Sequence, residues 1–460
     1  MQVVDDVTAL VGRTPMVRLQ RIGRHTPAQI YAKCEYMSAG GSVKDRVGVQ
    51  IVRDAEAAGL LKPGGTIVEA TSGNTGLGLA LAAASKGYKM IFVMPDKMSD
   101  EKIRALRAVG ARVVVTPTDV APEDPRSYYS VSRRIAEETP GAFYANQYHN
   151  PSNPKAHYLT TGPEIWEQLE GKVDVFVSAA GTGGTISGIG KYLKEKNPDV
   201  QIIAADPIGS IYYDYFYTGK LTEAYSYKVE GFGEDFLPST MNFEVVDGVI
   251  RVTDRECFDM CRRLVREEGL FTGGSAGGAV AAAVKIAERE GRPLNIVTVL
   301  CDSYSRYLSK IFDDEWMREN GFLAPQAQDH TVEELLRARG EVTLRTTHPT
   351  ARVREVVDDL KRYGISQLPV LADGSVSEGS VVGMVSERDL LNHLVQGGSA
   401  EDPIEALIDN RFALVEPTNR VSLLGPFFAR DLTVLVMRDE RLAAVLTKID
   451  FIDYVTRKMK

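Results

Sequence analysis

The sequence predicts an α/β fold in which parallel sheets are covered by helices on both faces. A strand–loop–helix–strand pattern runs from Thr66 to Pro95, and its second strand is the continuous apolar run "YKMIFVMP". The same pattern recurs over 173–207 and 273–303. Strands that are apolar throughout and alternate with helices are typical of parallel sheets buried on both sides. Residues 1–322 are therefore expected to form one α/β region of the size of a catalytic domain.

The character of the sequence changes after Trp316. Residues 323–340 contain a proline, few β-branched residues and a polar helical segment. This composition is typical of a linker between domains.

A repeat follows the linker. In each copy a strand ends in a hydroxyl residue, and an acid stands three positions further on: Ser386 with Asp389, then Thr447 with Asp450. An internal repeat of this length indicates one supersecondary unit used twice. The repeat predicts two small α/β modules in tandem, at 341–397 and 401–460.

The composition favours small molecules as partners. The chain has 44% hydrophobic and 25% charged residues, and no apolar run approaches the ~20 residues that span a bilayer. A net charge of −8 argues against nucleic acid, because phosphate binding needs a basic surface. The first residues lack the basic and apolar regions of a signal peptide, so we expect a cytoplasmic protein without a membrane segment.

The four cysteines are Cys34, Cys257, Cys261 and Cys301. They are few and scattered, which favours reduced thiols over a disulfide framework. Cys257 and Cys261 are four residues apart with no histidine pair nearby, so we predict that they are buried helix residues and that the chain has no metal site.

Lys44 stands where a helix is predicted to begin, in "SAGGSVKDRVG", with Ser42 and Asp45 as a capping-box-like pair. The helix has one apolar face, formed by Val47, Ile51, Ala55 and Ala58. A helix N-terminus disfavours a free ammonium, and Gly40 and Gly41 are expected to let a ligand approach the backbone. We therefore predict that Lys44 forms a Schiff base with a carbonyl cofactor; a solvated lysine on a surface helix is the alternative.

Two glycine-rich turns each follow a strand and open a helix. The N–H groups and hydroxyls of "GTGGT", Gly181 to Thr185, form a predicted phosphate site. "TSGNTG", Thr71 to Gly76, is of the same type and could hold an amino-acid carboxylate, with Asn74 free to bond a phenolic oxygen of the cofactor. The alternative for both turns is a packing role in which they bind no ligand.

Five motifs resemble, in this order, the fold-type-II pyridoxal phosphate enzymes of the cysteine synthase and cystathionine β-synthase family: "GGSVKDR", "TSGNTG", "GTGGT", "GGSAGG" and "CDSYSRYLSK". The resemblance covers nearly all of the first 320 residues and implies a catalytic domain over 1–322 with tryptophan synthase β-like architecture and pyridoxal 5′-phosphate as cofactor. The tail resembles a tandem pair of CBS (Bateman) domains. The haem-binding extension of the animal enzymes is not recognisable, so no haem is expected.

The resemblance also implies roles for single residues. Lys44 would be the Schiff-base lysine, Asn74 the partner of the pyridoxal O3′, and Ser303 the partner of the pyridine nitrogen. A hydroxyl in that last position makes the ring a weaker electron sink than a carboxylate would, which favours β-elimination over transamination; a serine bonded to its own backbone is the alternative. The phosphate would be held by Gly181, Thr182, Gly183, Gly184 and Thr185. The substrate carboxylate would be held by Thr71, Ser72, Thr75 and Gln147.

The activity implied by the resemblance is a lyase reaction of β-replacement type in amino-acid biosynthesis. Homocysteine would replace the hydroxyl of serine, and cysteine could yield hydrogen sulfide on the same scaffold. Three alternatives stay open: a cysteine synthase that uses O-acetylserine and sulfide, a serine or threonine dehydratase, and an adenine-nucleotide sensor with a silent enzyme core.

The resemblance of the tail implies an adenosyl ligand. The pairs Ser386/Asp389 and Thr447/Asp450 resemble the hydroxyl and carboxylate with which CBS domains hold a ribose, although such pairs could equally cap helices. The family further implies a homodimer or a larger homo-oligomer.

Overall fold

The computed structural model describes residues 3–96, 98–118, 120–121, 124–323, 330–340, 342–372, 381–439 and 441–458. The chain divides into two units, Met1–Leu323 and Ala324–Lys460. Parts of the predicted linker (324–329) and of the first predicted module (341 and 373–380) lie outside the described residues. The exact domain boundaries stay a prediction.

Two sheets form the framework of the first unit. Its strands are β1 (Met16–Arg18), β2 (Gln29–Cys34), β3 (Thr66–Ala70), β4 (Lys89–Pro95), β5 (Arg112–Thr116), β6 (Ala142–Tyr144), β7 (Val175–Ala179), β8 (Gln201–Pro207), β9 (Gly248–Val252) and β10 (Asn295–Leu300). The larger sheet has six strands in the order β1-β2-β10-β7-β8-β9, all parallel except for the β1–β2 pair. The smaller has four parallel strands in the order β5-β4-β3-β6.

Helices connect these strands. They are α1 (Lys44–Ala57), α2 (Asn74–Lys86), α3 (Asp100–Ala108), α4 (Tyr128–Glu138), α5 (Ser152–Ala156), α6 (Gly162–Gln168), α7 (Gly184–Lys196), α8 (Tyr212–Thr218), α9 (Asp254–Arg263), α10 (Gly274–Glu290) and α11 (Asp314–Glu319). A π-helical turn, His157–Thr161, joins α5 to α6.

Strand β7 shows why the apolar runs predict the fold correctly. Val175 and Val177 lie in the same core as Val280 of α10, whereas Phe176 lies in another core with Ile189 of α7. Successive side chains point to opposite faces of a strand, so β7 must be apolar throughout to bury both. The predicted α/β fold is confirmed.

Helix α1 begins at Lys44, which confirms that this lysine lies in the first helical turn. The predicted apolar face is buried at three positions: Val47, Ile51 and Ala55. The prediction is wrong for Ala58, which is exposed because the helix ends at Ala57.

Cys257 and Cys261 are fully buried on α9, as predicted for helix core residues. The helix begins with a capping box in which Thr253 and Glu256 bond to each other's backbone N–H. The two thiols therefore belong to the same hydrophobic core as Val175 and Val177 of β7 in the larger sheet.

The second unit contains two small sheets. Its strands are β11 (Gln367–Leu371), β12 (Val381–Ser386), β13 (Phe412–Val415), β14 (Thr433–Arg438) and β15 (Arg441–Leu446), and its helices are α12 (Val332–Arg339), α13 (Val353–Tyr363), α14 (Glu387–Val395), α15 (Leu424–Ala429) and α16 (Lys448–Lys458). β11 and β12 pair antiparallel, as do β14 and β15, and β13 joins β14 in parallel.

The helical segment within the predicted linker is part of a core. Val332 and Leu335 of α12 are buried in one cluster with Tyr454 of α16. α12 therefore packs as an element of the second unit and is not a free spacer. Across the described residues of both units, no helix is long and apolar enough to cross a bilayer.

Candidate active site

A cavity of about 550 Å³ lies in the first unit at the carboxyl ends of strands from both sheets. Ser72 follows β3, Gln147 follows β6, and Gly181 and Thr182 follow β7. All four line the cavity together with Lys44. In open α/β sheets, ligands bind in crevices at the carboxyl ends of the strands. The structure thus brings Lys44 together with members of both predicted loops.

The Lys44 side chain faces the predicted phosphate loop. Its Nζ donates a hydrogen bond to Thr182 Oγ1 at 3.3 Å. The start of α1 is fixed against the end of β10, because Val43 N donates to the Cys301 carbonyl at 2.8 Å. Burial lowers the pKa of the Lys44 ammonium. A lysine with a lowered pKa has a larger neutral fraction, which is the form that attacks a carbonyl or accepts a proton.

Gly40 and Gly41 lie against side chains that hold the turn before Lys44. A Cβ on Gly40 would lie 2.5 Å from Asp45 Oδ1, and a Cβ on Gly41 would lie 3.1 Å from Arg306 Nη2. The Asp45 carboxylate also accepts hydrogen bonds from Gly40 N at 2.8 Å and from Ser42 Oγ at 3.4 Å. These glycines make room for Asp45 and Arg306, which hold the turn before Lys44, and their predicted role in admitting a ligand stays a prediction.

The loop Gly181–Thr185 fits a phosphate group. Among the described residues, no acceptor takes the backbone N–H of Thr182, Gly183 or Gly184, and these groups stand at the N-terminus of α7. A Cβ on Gly184 would lie 2.0 Å from Asn153 Oδ1, so the loop can pack this closely only with glycine. Asn153 Nδ2 donates to Thr182 Oγ1 at 3.0 Å. Free N–H groups at a helix N-terminus bind anions, so the residues present suit the phosphate of the expected cofactor.

The loop Thr71–Gly76 is stabilised by its own first residue. The buried Thr71 Oγ1 accepts hydrogen bonds from Gly73 N at 2.9 Å and Gly76 N at 3.3 Å. Ser72 lines the cavity directly. Thr71 therefore shapes the loop that presents Ser72, and direct contact of either residue with a substrate carboxylate stays a prediction.

Thr75 and Gln147 form one hydrogen-bonded unit, of which Gln147 lines the cavity and Thr75 does not. Thr75 Oγ1 donates to Gln147 Oε1 at 2.5 Å, and Gln147 Nε2 donates to the Ala70 carbonyl at 2.9 Å. Gln147 N donates to Glu69 Oε2 at 3.3 Å. Burial raises the pKa of the Glu69 carboxyl to about 8. Glu69 was not predicted as a site residue, although a single acid in the apolar strand "TIVEA" is a usable signal.

Asn74 is held by two neighbours that sequence analysis also missed. Its Nδ2 donates to Asp302 Oδ2 at 2.7 Å, and its Oδ1 accepts a hydrogen bond from Arg306. Asp302 Oδ2 in turn accepts from Tyr307 OH at 2.7 Å. The sequence suggested a free amide, but the Asn74 amide is already engaged by these two neighbours. Its Nδ2 nevertheless carries a second hydrogen. That hydrogen is the donor left for a cofactor oxygen, and the role of Asn74 stays a prediction.

Ser303 is the residue predicted to bond the pyridine nitrogen. Ser303 Oγ lies 3.0 Å from Ser305 Oγ and accepts a hydrogen bond from Ser305 N at 3.3 Å, so it caps its own turn. Ser275, in the motif "GGSAGG", is buried in the first turn of α10, and Gly273 N, two residues before it, donates to the Asp302 carbonyl at 3.1 Å. The assignment of Ser303 stays a prediction.

The hydroxyl–acid pairs of the second unit cap helices. Ser386 Oγ donates to Asp389 Oδ2 at 2.5 Å at the start of α14, and Thr447 Oγ1 donates to Asp450 Oδ2 at 2.6 Å at the start of α16. Asp450 also lies 3.5 Å from Arg339 Nη1. Capping was one of the two roles that the sequence left open, and ligand binding stays a prediction.

Comparisons with known proteins find relatives for both units. Residues 7–302 match the family described as pyridoxal-phosphate dependent enzymes, and residues 340–396 match the CBS domain. Cystathionine β-synthase of Dictyostelium discoideum is 37% identical over 100% of this chain and 93% of its own length. Cystathionine β-synthase of Oryctolagus cuniculus is 41% identical over 95% of this chain and 80% of its own.

Two further matches each cover about two thirds of the chain. Cysteine synthase 1 of Neurospora crassa is 44% identical over 69% of this chain and 85% of its own. The crystal structure of a hydrogen sulfide-producing enzyme from Fusobacterium nucleatum is 35% identical, with a TM-score of 0.62, and covers 66% of this chain and 100% of that one. Lys44 and both glycine-rich loops lie within the matched family range, whereas Ser303 lies one residue beyond it.

Proposed function

Because the chain belongs to the family of pyridoxal-phosphate-dependent enzymes, we propose that it is a cystathionine β-synthase. Serine and homocysteine would be converted to cystathionine and water. One observation carries this proposal: the match with cystathionine β-synthases extends over 95% to 100% of the chain, through both units, whereas the match with a cysteine synthase covers 69%.

The cofactor would be held at three places. The N–H groups of Gly181–Thr185 bind its phosphate, Lys44 binds its carbonyl carbon, and Asn74 donates to its phenolic oxygen. When bound, pyridoxal phosphate supplies an electron sink that acidifies the Cα–H bond of an attached amino acid. The free N–H groups of the loop and the closeness of Lys44 Nζ to Thr182, 3.3 Å, support this placement.

Lys44 would also move the protons of the reaction. Its amine takes the proton from Cα of serine and returns a proton to the hydroxyl that leaves from the β-carbon. Both tasks need an amine that is neutral in part of the cycle. Burial, which lowers the pKa of Lys44, supports that role.

The loop Thr71–Gly76 would orient the substrate. Its N–H groups at the start of α2 and the Ser72 hydroxyl bind the carboxylate, while Thr75 holds Gln147 beside it. A carboxylate fixed at this end directs the Cα–H bond towards Lys44. Orientation of this kind is worth several orders of magnitude in rate.

Product analysis tests the proposal. The holoenzyme is supplied either with serine and homocysteine or with O-acetylserine and sulfide, and products are identified by mass spectrometry. We expect cystathionine, with a higher kcat/KM for the first pair. Formation of cysteine from the second pair, with no cystathionine from the first, contradicts the proposal.

Release of sulfide from cysteine is a second candidate activity on the same scaffold. The 35% identity to a hydrogen sulfide-producing enzyme over 100% of that chain favours it. Lead acetate or methylene blue detection of sulfide, with cysteine as sole substrate or together with homocysteine, tests this activity.

The second unit would bind an adenosyl ligand such as S-adenosylmethionine, and the enzyme would be a homodimer or larger. The CBS domain match supports a regulatory ligand. Isothermal titration tests the binding of the adenosyl ligand, and light scattering tests the oligomeric state.

The four free thiols support a cytoplasmic location, which fractionation of the source cells tests.

A further inference from the structure

Five tyrosines line the active-site cavity, and three of them, to which the sequence assigns no role, lie together: Tyr128, Tyr129 and Tyr148. Tyr128 and Tyr129 are the first two residues of α4. The start of this helix is fixed because the Ser127 hydroxyl accepts a hydrogen bond from Ser130 N at 3.1 Å. Both tyrosines, and no later residue of α4, line the cavity.

The tyrosines and Phe236 form one cluster, here called the aromatic wall. Tyr128 OH lies 2.9 Å from Tyr148 OH and also bonds Tyr129 OH. The Tyr129 ring meets Phe236 edge to face at 5.1 Å and Tyr148 at 5.2 Å, measured between ring centroids. Edge-to-face contacts of this kind stabilise a fixed arrangement of rings. The wall is therefore a single surface and not four independent side chains.

The wall is tied to the predicted phosphate loop. Thr240 Oγ1 contacts the carbonyl of Tyr148 at 3.0 Å and that of Thr182 at 2.6 Å. Thr182 is also the residue that Lys44 Nζ contacts. Thr182 is thus linked both to Lys44 and, through Thr240, to the aromatic wall. These contacts set the position of the wall relative to Lys44.

The chemistry of the wall suits a thiol with a carbon chain. Burial raises the pKa of Tyr128 and Tyr148 well above 10, so both phenols stay neutral at physiological pH. Aromatic rings attract methylene groups and divalent sulfur. The two-carbon chain of homocysteine offers both, whereas sulfide has no methylene group for the rings to bind.

Resting on the proposed function, we propose that the aromatic wall binds the carbon chain of the thiol substrate and that Tyr128 and Tyr129 select homocysteine over sulfide. Both residues are specificity-determining; the proton transfers remain with Lys44. Glu234 and Asp235 line the same cavity and give it a negative charge where the ammonium group of an amino-acid thiol would enter.

Three variants of the holoenzyme test this: Tyr128→Phe, Tyr129→Leu and, as a matched control outside the cavity, Tyr217→Phe, whose hydroxyl donates to the Val249 carbonyl at 3.3 Å. Each is assayed at saturating serine with homocysteine and, separately, with sulfide. We expect kcat/KM for homocysteine to fall about tenfold in Tyr129→Leu and about threefold in Tyr128→Phe, with that for sulfide unchanged. The control should keep both values.

The outcomes separate the two proposals. A wild-type enzyme that forms no cystathionine overturns the proposed function and this inference with it. If the wild-type enzyme forms cystathionine, an equal loss for both thiols, or no loss for either, overturns this inference alone. Thermal unfolding of each variant identifies a loss of fold. If Tyr129→Leu has lost its fold, the assay of Tyr128→Phe, which removes a single oxygen, decides whether this inference holds.

Discussion

Lys102 Nζ lies 2.7 Å from Glu230 Oε2, and the two side chains are only 1% and 5% exposed. The other oxygen of Glu230 lies 2.7 Å from Lys310 Nζ. The Lys102 stem packs against the loop of the predicted substrate site, since a Cβ on Gly73 would lie 3.2 Å from Lys102 Cβ. Glu230 itself lines the cavity. This ion pair therefore connects α3 and the substrate loop to the cavity wall.

Lys102→Met should destabilise the protein. Burial alone would raise the pKa of Glu230, but Lys102 and Lys310 hold that pKa below its ordinary value. A lowered carboxyl pKa stabilises the folded state above the unfolded pKa, and this contribution is lost as the pH falls. Removing one of the two partners leaves a buried carboxylate poorly compensated, so we expect a loss of about 3 kcal/mol in unfolding free energy at pH 7, measured by urea denaturation.

Two variants control this prediction. Arg104→Met removes the exposed i,i+4 pair with Asp100 on the same helix and should cost less than about 0.5 kcal/mol. Adding Glu230→Gln to Lys102→Met should recover part of the loss, because the uncompensated charge is gone. Equal stability of Lys102→Met and Arg104→Met would show that the buried pair does not contribute.

Lys44→Ala should abolish turnover without preventing the cofactor from binding. The phosphate loop is intact in this variant, so pyridoxal phosphate should remain bound, but the visible absorbance of the lysine-bound form should be lost. Absorbance spectra of dialysed protein and an assay with serine and homocysteine measure both effects. Lys220→Ala, which changes an exposed lysine, is the control. Retention of the absorbance band and of turnover in Lys44→Ala would refute the assignment.

Glu69→Gln should change how stability depends on pH. Burial raises the pKa of Glu69 from 4.5 to about 8. Between these values the folded state keeps a proton that the unfolded state releases, so this group makes the wild-type protein less stable as the pH rises through that window. The glutamine variant removes the titration and should lose less stability there.

Urea denaturation at several pH values checks this prediction. Glu244→Gln, at an exposed position, is the control and should follow the wild-type curve. Parallel curves for wild type and Glu69→Gln between pH 4.5 and pH 8 would show that Glu69 does not hold its proton in the folded state.

The fold and the framework of the site could be predicted from local sequence. Apolar runs such as β7 reveal a strand buried on both faces, and glycine-rich turns between a strand and a helix indicate candidate anion sites. Lys44 was found because its position in the first turn of a helix conflicts with the helix dipole. Each of these signals depends on residues that are neighbours in the chain.

Contacts between distant segments could not be predicted in the same way. Arg306 reaches Gly40 and Asn74 from more than 200 positions away in the chain, so neither the role of the glycines nor the engagement of Asn74 was visible. The aromatic wall likewise joins α4 to Phe236 through tertiary packing. Ala58 was misplaced for a local reason, because the apolar spacing continues past the residue at which the helix ends.

Gly184→Ala should weaken cofactor binding more than it weakens the fold. A Cβ at this position would lie 2.0 Å from Asn153 Oδ1, and Asn153 holds Thr182 and the Gln147 carbonyl through its Nδ2. Displacing Asn153 would move the N–H groups that the phosphate needs, so we expect the Kd for pyridoxal phosphate to rise at least about tenfold, measured by fluorescence titration of the apoenzyme. Gly425→Ala is the matched control, because its Cβ would find the nearest atom at 3.7 Å in the second unit. If both variants bind the cofactor equally well, the loop Gly181–Thr185 is not the phosphate site, and the role of Lys44 beside it would have to be reassigned as well.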